Sequence, residues 1–331
     1  MESPLLDVHG AVPADPPDAG VAAHYGDPMR EQRALADGIG LVDRSHRGVV
    51  RVSGPDRLSW LHDLTTQHLR ELRPHVATEA LLLTPQGRVE HHLFLVDDGE
   101  ATWAHVEPGT APALAEFLES MRFLLRVEPA DVTDAYGVLT VAGPRAGEVL
   151  PDDVLSRRTE HDADLFVPRD RLAQVADGLR EKGAALTGTW AYEAFRIAAH
   201  RPRIGLDTDH RTIPHEVGWL GNAVHLDKGC YQGQETVARV YNLGRPPRRL
   251  VFLHLDGSVD RLPARGAPLE ADGREVGFVG SAARHYELGP IALGTVKRTT
   301  PTDAALLADG VAAAQEVVVE PQDRPRVSRH L

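Results

Sequence analysis

A short internal repeat constrains this chain more than any other feature of its sequence. Residues 48–55 read Gly-Val-Val-Arg-Val-Ser-Gly-Pro, and 89 residues later the segment 137–144 reads Gly-Val-Leu-Thr-Val-Ala-Gly-Pro. Each copy has the alternation of a half-buried strand and ends in a Gly-Pro turn that leads into a helix start. A pattern that recurs in this way indicates two related structural units within one chain.

Strand and helix patterns continue after both copies of the repeat. Three apolar segments separated by turn residues predict an antiparallel meander, at residues 80–83, 93–96 and 102–106. Apolar residues at helical spacing predict a helix that begins after Thr110 and covers this sheet. In the second half, a strand at residues 164–167 precedes a helix that stops at Gly183, and another helix begins at Thr189.

The last part of the chain has a different character, because short strands there are broken by glycine. After Pro247 the strands are predicted at residues 250–255, 266–270, 275–280 and 291–296. Short strands at such regular spacing favour a small β-barrel. The predicted fold class is therefore α+β, with two related antiparallel-sheet α+β domains and a C-terminal small β-barrel.

Domain boundaries are placed where the composition changes. The predicted parts are a mobile N-terminal arm (1–24), a first α+β domain (25–135), a second α+β domain (136–245), the β-barrel (246–322) and a tail (323–331). The arm is predicted because Pro13, Pro16 and Pro17 stand among small and acidic residues that bury little apolar area. Exchange of segments between the first two domains is left open.

Composition and charge narrow the class of protein. With 36 basic and 48 acidic residues, the formal net charge is −12, which argues against a nucleic-acid partner. The single cysteine excludes an intrachain disulfide and argues against a zinc site with several sulfur ligands. No apolar run is long enough for a membrane span and the N-terminus lacks a signal-peptide pattern, so we expect a cytoplasmic protein without a membrane partner. The 17 histidines lack metal-binding spacing, so no metal site is expected.

The cysteine lies in the most informative segment of the sequence. Residues 227–236 read Asp-Lys-Gly-Cys-Tyr-Gln-Gly-Gln-Glu-Thr, and Arg239 follows shortly after. Polar residues and two glycines surround Cys230, whereas a core cysteine is expected to have apolar neighbours. Lys228 and Arg239 carry positive charge that would stabilise a thiolate if they face it. We therefore predict that Cys230 is a reactive thiol.

The same segment resembles a known family. Residues 228–235, Lys-Gly-Cys-Tyr-Gln-Gly-Gln-Glu, match the K-G-C-Y-x-G-Q-E signature of the YgfZ family. This family of folate-binding proteins is related to the T-protein aminomethyltransferases of the glycine cleavage system. Further segments resemble the family at residues 42–45, 52–56, 143–144 and 277–281. The resemblance implies three domains in a ring around a positively lined cavity for tetrahydrofolate, and a role in assembling or repairing iron–sulfur clusters of client enzymes.

The resemblance and the local chemistry together select candidate site residues. Cys230 is the expected reactive group, with Lys228 beside it. Candidates for binding tetrahydrofolate are Glu216, Arg196, Arg203, Tyr231, Gln234, Glu235, Arg239 and His92. Glu216 either contacts the ligand or forms a structural salt bridge, and both roles are left open. The arginines either bind an anion or lie on a solvated surface, and these roles are left open too. One cysteine cannot hold a cluster that takes four ligands, so a transient or intermolecular role stays open. The partners that the resemblance implies are folate and iron–sulfur client enzymes or cluster assembly proteins.

Two departures from the T-protein pattern bear on the chemistry. The relatives carry an acidic pair in a G-x-I/V-x-D-D-L hairpin, whereas this chain has His91 and His92 at those positions. Imidazole does not supply the permanent negative charge that would stabilise a cationic transition state, so aminomethyl transfer of the T-protein type is not expected. Ala198 stands where the relatives have a glutamate, which removes a carboxylate for the pterin N3–H and 2-amino groups.

Three functional hypotheses follow. The leading one is a tetrahydrofolate-binding accessory protein for iron–sulfur enzymes. The second is a folate-dependent one-carbon transferase or demethylase of the T-protein superfamily, in which Glu90 or His92 replaces the missing aspartate. The third is a cysteine-dependent hydrolase with His215 as its base, which requires a Cys–His geometry that a sequence does not reveal.

Overall fold

A computed structural model describes residues 1–321 of the chain, and they form two compact units. Unit 1 comprises residues 1–80 and 91–192, and unit 2 comprises residues 81–90 with the chain from Glu193 onward. The hairpin turn at residues 84–87 therefore groups with the second half of the chain. No helix among the described residues has the length and apolarity needed to span a membrane.

The elements up to the second copy of the repeat are, in chain order, β1 (Val12–Pro13), β2 (Ala22–His24), α1 (Pro28–Asp37), β3 (Gly40–Asp43), β4 (Gly48–Ser53), α2 (Arg57–Leu64), β5 (Thr78–Leu83), β6 (Val89–Asp97), β7 (Ala101–Val106), α3 (Ala111–Ser120) and β8 (Glu128–Asp131). The next elements are β9 (Tyr136–Ala142), β10 (Leu155–Arg158), β11 (Asp162–Pro168), α4 (Leu172–Glu181), β12 (Ala185–Thr187) and α5 (Thr189–Ala198). The remainder comprises α6 (Gln234–Leu243), β13 (Arg248–Leu255), β14 (Pro268–Ala271), β15 (Arg274–His285), β16 (Gly289–Lys297), β17 (Leu306–Ala308) and β18 (Val311–Val317). Short 3-10 helices cover Pro4–Asp7, Ala146–Glu148, Arg169–Arg171 and Pro214–Val217.

Strands β3 to β12 form two five-stranded sheets. One has the order β5-β6-β7-β4-β8 and the other has the order β10-β11-β9-β3-β12. Strand β12 runs parallel to β3, whereas β9 is antiparallel to both of its neighbours. Leu172, Val175 and Leu179 on one stripe of α4 lie in the same apolar cluster as Leu139 and Leu165 of the second sheet. The predicted pattern of amphipathic helix on antiparallel sheet is therefore present.

The two copies of the repeat, β4 and β9, are each an interior strand of a sheet, and each is followed by a Gly-Pro turn. Gly54 and Gly143 adopt φ of +104° and +118° in these turns. A Cβ on Gly54 would lie 2.2 Å from the carbonyl oxygen of Arg126, and one on Gly143 would lie 2.5 Å from that of Gly38. Glycine is required at both positions by backbone conformation and by close backbone approach.

The first 24 residues do not form the mobile arm that the sequence predicts, since they pack within unit 1. Leu5 belongs to the apolar cluster of the second sheet, and Val21 is fully buried. The Ser3 amide donates to the carbonyl oxygen of Gly20 at 2.8 Å, and the Ser3 hydroxyl donates to the Asp43 carboxylate. A few apolar side chains and satisfied polar groups are sufficient here because a preformed core receives them.

The predicted boundary between the first two domains does not separate the sheets cleanly. Strand β3 comes from the predicted first domain, yet it pairs with β9 of the predicted second domain. Both sheets contribute residues to unit 1, so the compact unit combines most of the two predicted α+β domains. The boundaries at residues 135 and 245 stay predictions, and the predicted tail at 323–331 lies outside the described residues.

The C-terminal strands form a closed barrel in the order β13-β16-β15-β14-β17-β18. Along β13, Val251 and Leu253 lie in the apolar core of the barrel, whereas Leu250 and Phe252 join a separate cluster. This alternation is what the two-residue period of a strand dictates. The predicted fold class, α+β with a small C-terminal β-barrel, is confirmed, and the ring around a central cavity stays a prediction.

Candidate functional site

The cysteine segment of unit 2 is a loop that leads into α6, and Cys230 is exposed on it. Lys228 is buried, and its Nζ lies 4.9 Å from the centroid of the Tyr231 ring. Burial raises the pKa of Tyr231 to about 12, so the ring keeps a neutral hydroxyl at pH 7. This geometry is a cation–π contact. The pairing of Lys228 with a thiolate on Cys230 stays a prediction.

Close backbone contact fixes this loop on the hairpin turn at residues 84–87. Gly233 has φ of +80°, and a Cβ on it would lie 2.7 Å from the carbonyl oxygen of Thr84. A Cβ on Gly87, which has φ of +76°, would lie 2.8 Å from the Cβ of Thr236. Any side chain at either glycine would separate the turn from the loop. Gly233, the second glycine of the signature, is therefore required by the close packing of the loop on the turn in this chain.

Side-chain amides add to the fixation of the loop. Gln232 Nε2 donates to the last carbonyl oxygen of β5 at 2.8 Å, and Gln234 Nε2 donates to the carbonyl oxygen of Lys228 at 3.2 Å. Helix α6 starts at Gln234, and it leaves Glu235 and Arg239 exposed to solvent. Two of the predicted folate-binding side chains are thus accessible, while Gln234 helps to hold the loop.

The arginines predicted to bind an anion take part in ion pairs of unit 2. Arg196 is 3% exposed, and it bonds Glu193 at 2.8 Å and Asp207 at 2.9 Å. Burial opposes its charge, but Glu193 and Asp207 outweigh burial and raise the pKa of Arg196. Arg203 bonds Glu193 at 2.8 Å, and Arg196 also donates to the hydroxyl of Ser281. These contacts hold α5 to the loop that follows it and to the barrel.

Glu216 forms a structural salt bridge, one of the two roles left open above. It is fully buried, and its two oxygens accept from Nε and Nη2 of Arg248 at 2.9 and 2.8 Å. The same carboxylate accepts from the amide of Ile213. Arg248 also chelates Asp209 at 2.7 and 2.9 Å. Burial alone would raise the pKa of Asp209, but hydrogen bonds from Arg248 hold it well below its usual range.

In unit 1, His92 is paired with a carboxylate that the sequence analysis did not select. His92 Nε2 lies 2.9 Å from Oε2 of Glu79, and Arg157 Nη2 lies 3.3 Å from Oε1 of Glu79. The His92 and Arg157 side chains are 3% and 4% exposed, whereas that of Glu79 is 28% exposed. The His92 ring stacks on Phe94 at 4.3 Å. Two buried donors therefore support one partly exposed carboxylate.

A second carboxylate, Asp164, anchors the buried side of this cluster. It bonds Arg157 at 3.1 Å, Arg44 at 3.2 Å and His105 at 2.9 Å. Burial would raise the pKa of Asp164, but His105, Arg44 and Arg157 together hold it well below its usual range. Burial lowers the pKa of His105 to about 3, so its ring is neutral at pH 7. Because Arg47 Nε donates to Nδ1 of His105, the proton of this imidazole is on Nε2 and points to Asp164.

Sequence reasoning missed Glu79, Arg157, Asp164 and His105, although one signal was available for the first of them. Glu79 lies five residues before the turn at 84–87, and His92 lies five residues after it. Residues at equal distances from a hairpin turn lie side by side in the two strands. His91, the other substituted position, is half-buried, and burial lowers its pKa. Among residues 1–321, no group of three or more His, Cys, Asp or Glu side chains is arranged to hold a metal.

Comparison with known proteins relates part of this chain to one family model and the chain to several relatives. Residues 22–163 match the family model of the GCVT N-terminal domain. A chloroplastic protein of Arabidopsis thaliana whose name classes it as a transferase is 27% identical over 293 residues, covering 78% of this chain and 66% of that protein. The chain thus spans slightly less than two thirds of that relative's length.

Aminomethyltransferases are similar over more of their length. The protein of Symbiobacterium thermophilum is 27% identical and covers 77% of each chain, and that of a Synechococcus strain is 28% identical, covering 81% of this chain and 82% of the other. The structure of glycine cleavage system aminomethyltransferase T from Bartonella henselae superposes with a TM-score of 0.78 over 97% of both chains, at 20% identity. The last similarity shows a shared fold.

Proposed function

We propose, from the premise that this chain is a member of the GcvT-like superfamily as its similarities support, that it catalyses tetrahydrofolate-dependent one-carbon transfer. This is the second hypothesis of the sequence analysis. The observation that carries it is the Glu79–His92 pair, with Nε2 of His92 2.9 Å from Oε2 of Glu79. The sequence argued against transfer because histidines replace an acidic pair. Glu79 restores a negative charge beside one of those histidines.

The Glu79 carboxylate of this cluster is an acceptor suited to a reduced pterin. Such a ring presents adjacent N–H groups, which a carboxylate recognises with charge-assisted hydrogen bonds. Ala198 has no carboxylate, and Glu216 is buried against Arg248. Glu79 is 28% exposed, and its carboxylate pairs with His92 and Arg157. The proposed role of Glu79 is to accept hydrogen bonds from the ligand with this partly exposed carboxylate.

Each side chain then has a separate task. Tetrahydrofolate, when bound, supplies the nitrogen atoms that carry a one-carbon unit. Glu79 stabilises positive charge that develops on a substrate nitrogen, and this is the charge that imidazole alone does not offset. His92 and Arg157 hold the Glu79 carboxylate in one orientation, which avoids reorganisation as charge develops. Asp164 in turn holds Arg157.

Calorimetric titration with tetrahydrofolate under anaerobic, reducing conditions tests this proposal. Glu79→Gln keeps the size of the side chain and removes its charge, so binding is expected to weaken about tenfold to hundredfold. Glu116→Gln is the matched control, because Glu116 is exposed on α3. Formation of tetrahydrofolate from its methylene derivative with ammonium and a small dithiol, corrected for the protein-free rate, measures transfer. No binding at millimolar ligand, or equal binding by both variants, would contradict the proposal.

A second candidate function rests on Cys230. Cys230 is exposed on a loop that backbone contacts hold in place, so a macromolecular partner could reach the thiol, as an accessory protein for iron–sulfur enzymes of the YgfZ kind would require. One thiol contributes at most one ligand to a shared cluster. Reconstitution of a purified apo-enzyme that needs a [4Fe–4S] cluster is expected to be faster with this protein than with its Cys230→Ser variant. Equal rates would contradict this second role.

A further inference from the structure

Three consecutive apolar residues are exposed in the loop of unit 1 that joins α3 to β8. Phe123, Leu124 and Leu125 are 80%, 100% and 42% exposed, and we call them the apolar tip. Within residues 1–321, the other large apolar residues that are exposed stand singly in the sequence, as is usual for a protein surface. A contiguous apolar patch, in contrast, marks an interaction site.

Both ends of the apolar tip are fixed to the rest of unit 1. Before the tip, Nε1 of Trp60 donates to the carbonyl oxygen of Met121 at 3.1 Å. After the tip, the Asp56 carboxylate accepts from the amide, Nε and Nη2 of Arg126 at 2.9, 3.0 and 2.7 Å. Because the loop is held in this way, a partner that binds the tip does not have to order it first.

The backbone conformation of the loop maintains the exposure of Phe123. This residue has φ of +48°, in the left-handed region that is unfavourable for a bulky side chain. Such conformations persist where the surrounding structure imposes them, and they are common at functional sites. The Leu125 amide donates to the carbonyl oxygen of Arg122 at 3.1 Å and closes the loop around Phe123. The exposed ring is therefore a property of the folded loop.

Two ion pairs form a polar rim on either side of the apolar tip. Oε1 of Glu119 lies 3.3 Å from Nη1 of Arg122, which precedes the tip. Oδ1 of Asp56 lies 2.7 Å from Nη2 of Arg126, which follows the tip. The Glu119 and Arg126 side chains are 57% and 74% exposed, so both signs of charge reach the surface. The rim as a whole is neutral.

Charge and area favour a second copy of this chain as the partner. A basic rim would attract an anionic lipid surface, but this rim is neutral and the chain has a net charge of −12. A rim that carries both signs is self-complementary, since a two-fold axis allows a guanidinium of each copy to face a carboxylate of the other. The tip exposes on the order of 400 Å² of apolar surface, so two tips bury roughly 800 Å², which suits a weak and reversible contact.

We propose that the apolar tip is the centre of a symmetric, reversible dimer of this chain. Leu124, which is fully exposed, lies closest to the two-fold axis, and Phe123 and Leu125 of both copies pack around it. The exposed carboxylate of Glu119 in each copy faces the exposed guanidinium of Arg126 in the other. The expected Kd is on the order of 100 µM, as for a small contact whose apolar area only just offsets the cost of association.

Sedimentation velocity of the full-length protein tests the dimer at about 0.15 M salt, where repulsion between the two net charges is screened. The sedimentation coefficient of the wild type is expected to rise toward that of a dimer between about 5 and 500 µM. Leu124→Asp is expected to fold, as circular dichroism checks, and to stay monomeric, because the contact would bury its charge. Leu288→Asp is the matched control, since Leu288 is 45% exposed in the turn between β15 and β16, and it is expected to dimerise. A monomeric wild type, or equal dimerisation by Leu124→Asp, would overturn the proposal.

Disulfide trapping tests the two-fold geometry. In a Cys230→Ser background, Leu124→Cys places the single thiol of each chain beside the axis, so mild oxidation is expected to link two chains. Leu288→Cys in the same background is the control and is expected to stay unlinked. Equal linking of both variants would overturn the symmetric contact. Cosedimentation of a monomeric wild type, but not of Leu124→Asp, with phosphatidylcholine vesicles would assign the tip to a lipid surface and would also overturn the proposal.

Discussion

Gly87 and Gly233 approach each other so closely that a Cβ on Gly233 would lie 2.8 Å from the Cα of Gly87. This contact joins a hairpin turn to the loop that carries the only cysteine. Because the approach is between backbones, no side chain can yield to relieve a clash. The position of the exposed thiol therefore depends on two glycines that carry no chemistry of their own.

Gly233→Ala tests this contact. The added Cβ meets the carbonyl oxygen of Thr84 at 2.7 Å, and φ of +80° disfavours alanine, so the free energy of unfolding is expected to fall by about 1–3 kcal/mol. Gly229→Ala is the matched control in the same loop, because nothing lies within 4 Å of its added Cβ. Urea unfolding compares the two, and equal losses would contradict the contact.

Cys230 is expected to be accessible and dispensable for stability. Its exposure predicts that a thiol reagent labels one equivalent per native chain without denaturant. Cys230→Ala should change the free energy of unfolding by less than about 0.5 kcal/mol, since it removes a surface side chain. Labelling that requires urea, or a large loss of stability, would mean that the thiol is buried in solution.

Loss of the Arg248 guanidinium is expected to destabilise unit 2. Arg248→Met leaves the fully buried Glu216 without its counterion, which should lower the free energy of unfolding by about 3–5 kcal/mol. Arg245→Met removes an exposed guanidinium nearby in sequence and should have little effect. Chemical denaturation measures both variants, and a tolerated Arg248→Met would contradict the assignment.

Acid should weaken the same contact in the wild type. Because the pKa of Asp209 is held below its ordinary value of 3.8, the unfolded chain takes up this proton first. The contribution of Asp209 is complete above the unfolded pKa of 3.8, declines as the pH falls below it, and is fully lost only below the lowered pKa of the folded protein. Denaturation midpoints between pH 5 and 2 are expected to fall more steeply in the wild type than in Arg248→Met. Parallel profiles would exclude this linkage.

His105 is expected to stay neutral in mildly acidic solution. Burial lowers the pKa of His105 to about 3 in the folded protein, whereas in the unfolded chain the ring takes up a proton near pH 6.5. The free energy of unfolding therefore declines as the pH falls below 6.5. Nitrogen NMR of the histidine rings at pH 5.5 should show a neutral ring with its proton on Nε2. A doubly protonated ring for His105 would contradict the described hydrogen bonds to Arg47 and Asp164.

The secondary-structure elements that could be predicted are those with a local sequence signal, such as two-residue alternation or a terminal glycine. Strands β4 and β9 show two-residue alternation and end at glycines that need positive φ, so the repeat could be detected without a structure. Helix α6 was missed because Gly233 precedes it without a side-chain cap, and the usual N-cap residues are absent. The N-terminal segment was mistaken for an arm because composition does not reveal that Leu5 reaches a core built by distant strands.

The candidate site was harder to predict because it depends on contacts between elements. Cys230 and Lys228 could be selected from one continuous segment. The pairing of Glu79 with His92 requires the hairpin to form, and the support from Arg157 and Asp164 requires strands that lie 65 or more residues further along the chain. The sequence shows only that Glu216 and Arg196 are charged. The structure shows that each of them is already paired with a residue of opposite charge.

A crystal structure of the wild-type protein with tetrahydrofolate, prepared without oxygen, tests the proposed role of Glu79 most directly. The account predicts that ring N–H groups of the ligand donate to the Glu79 carboxylate, while His92 and Arg157 keep their bonds to it. A ligand bound away from Glu79, with that carboxylate facing only His92, Arg157 and solvent, would contradict it.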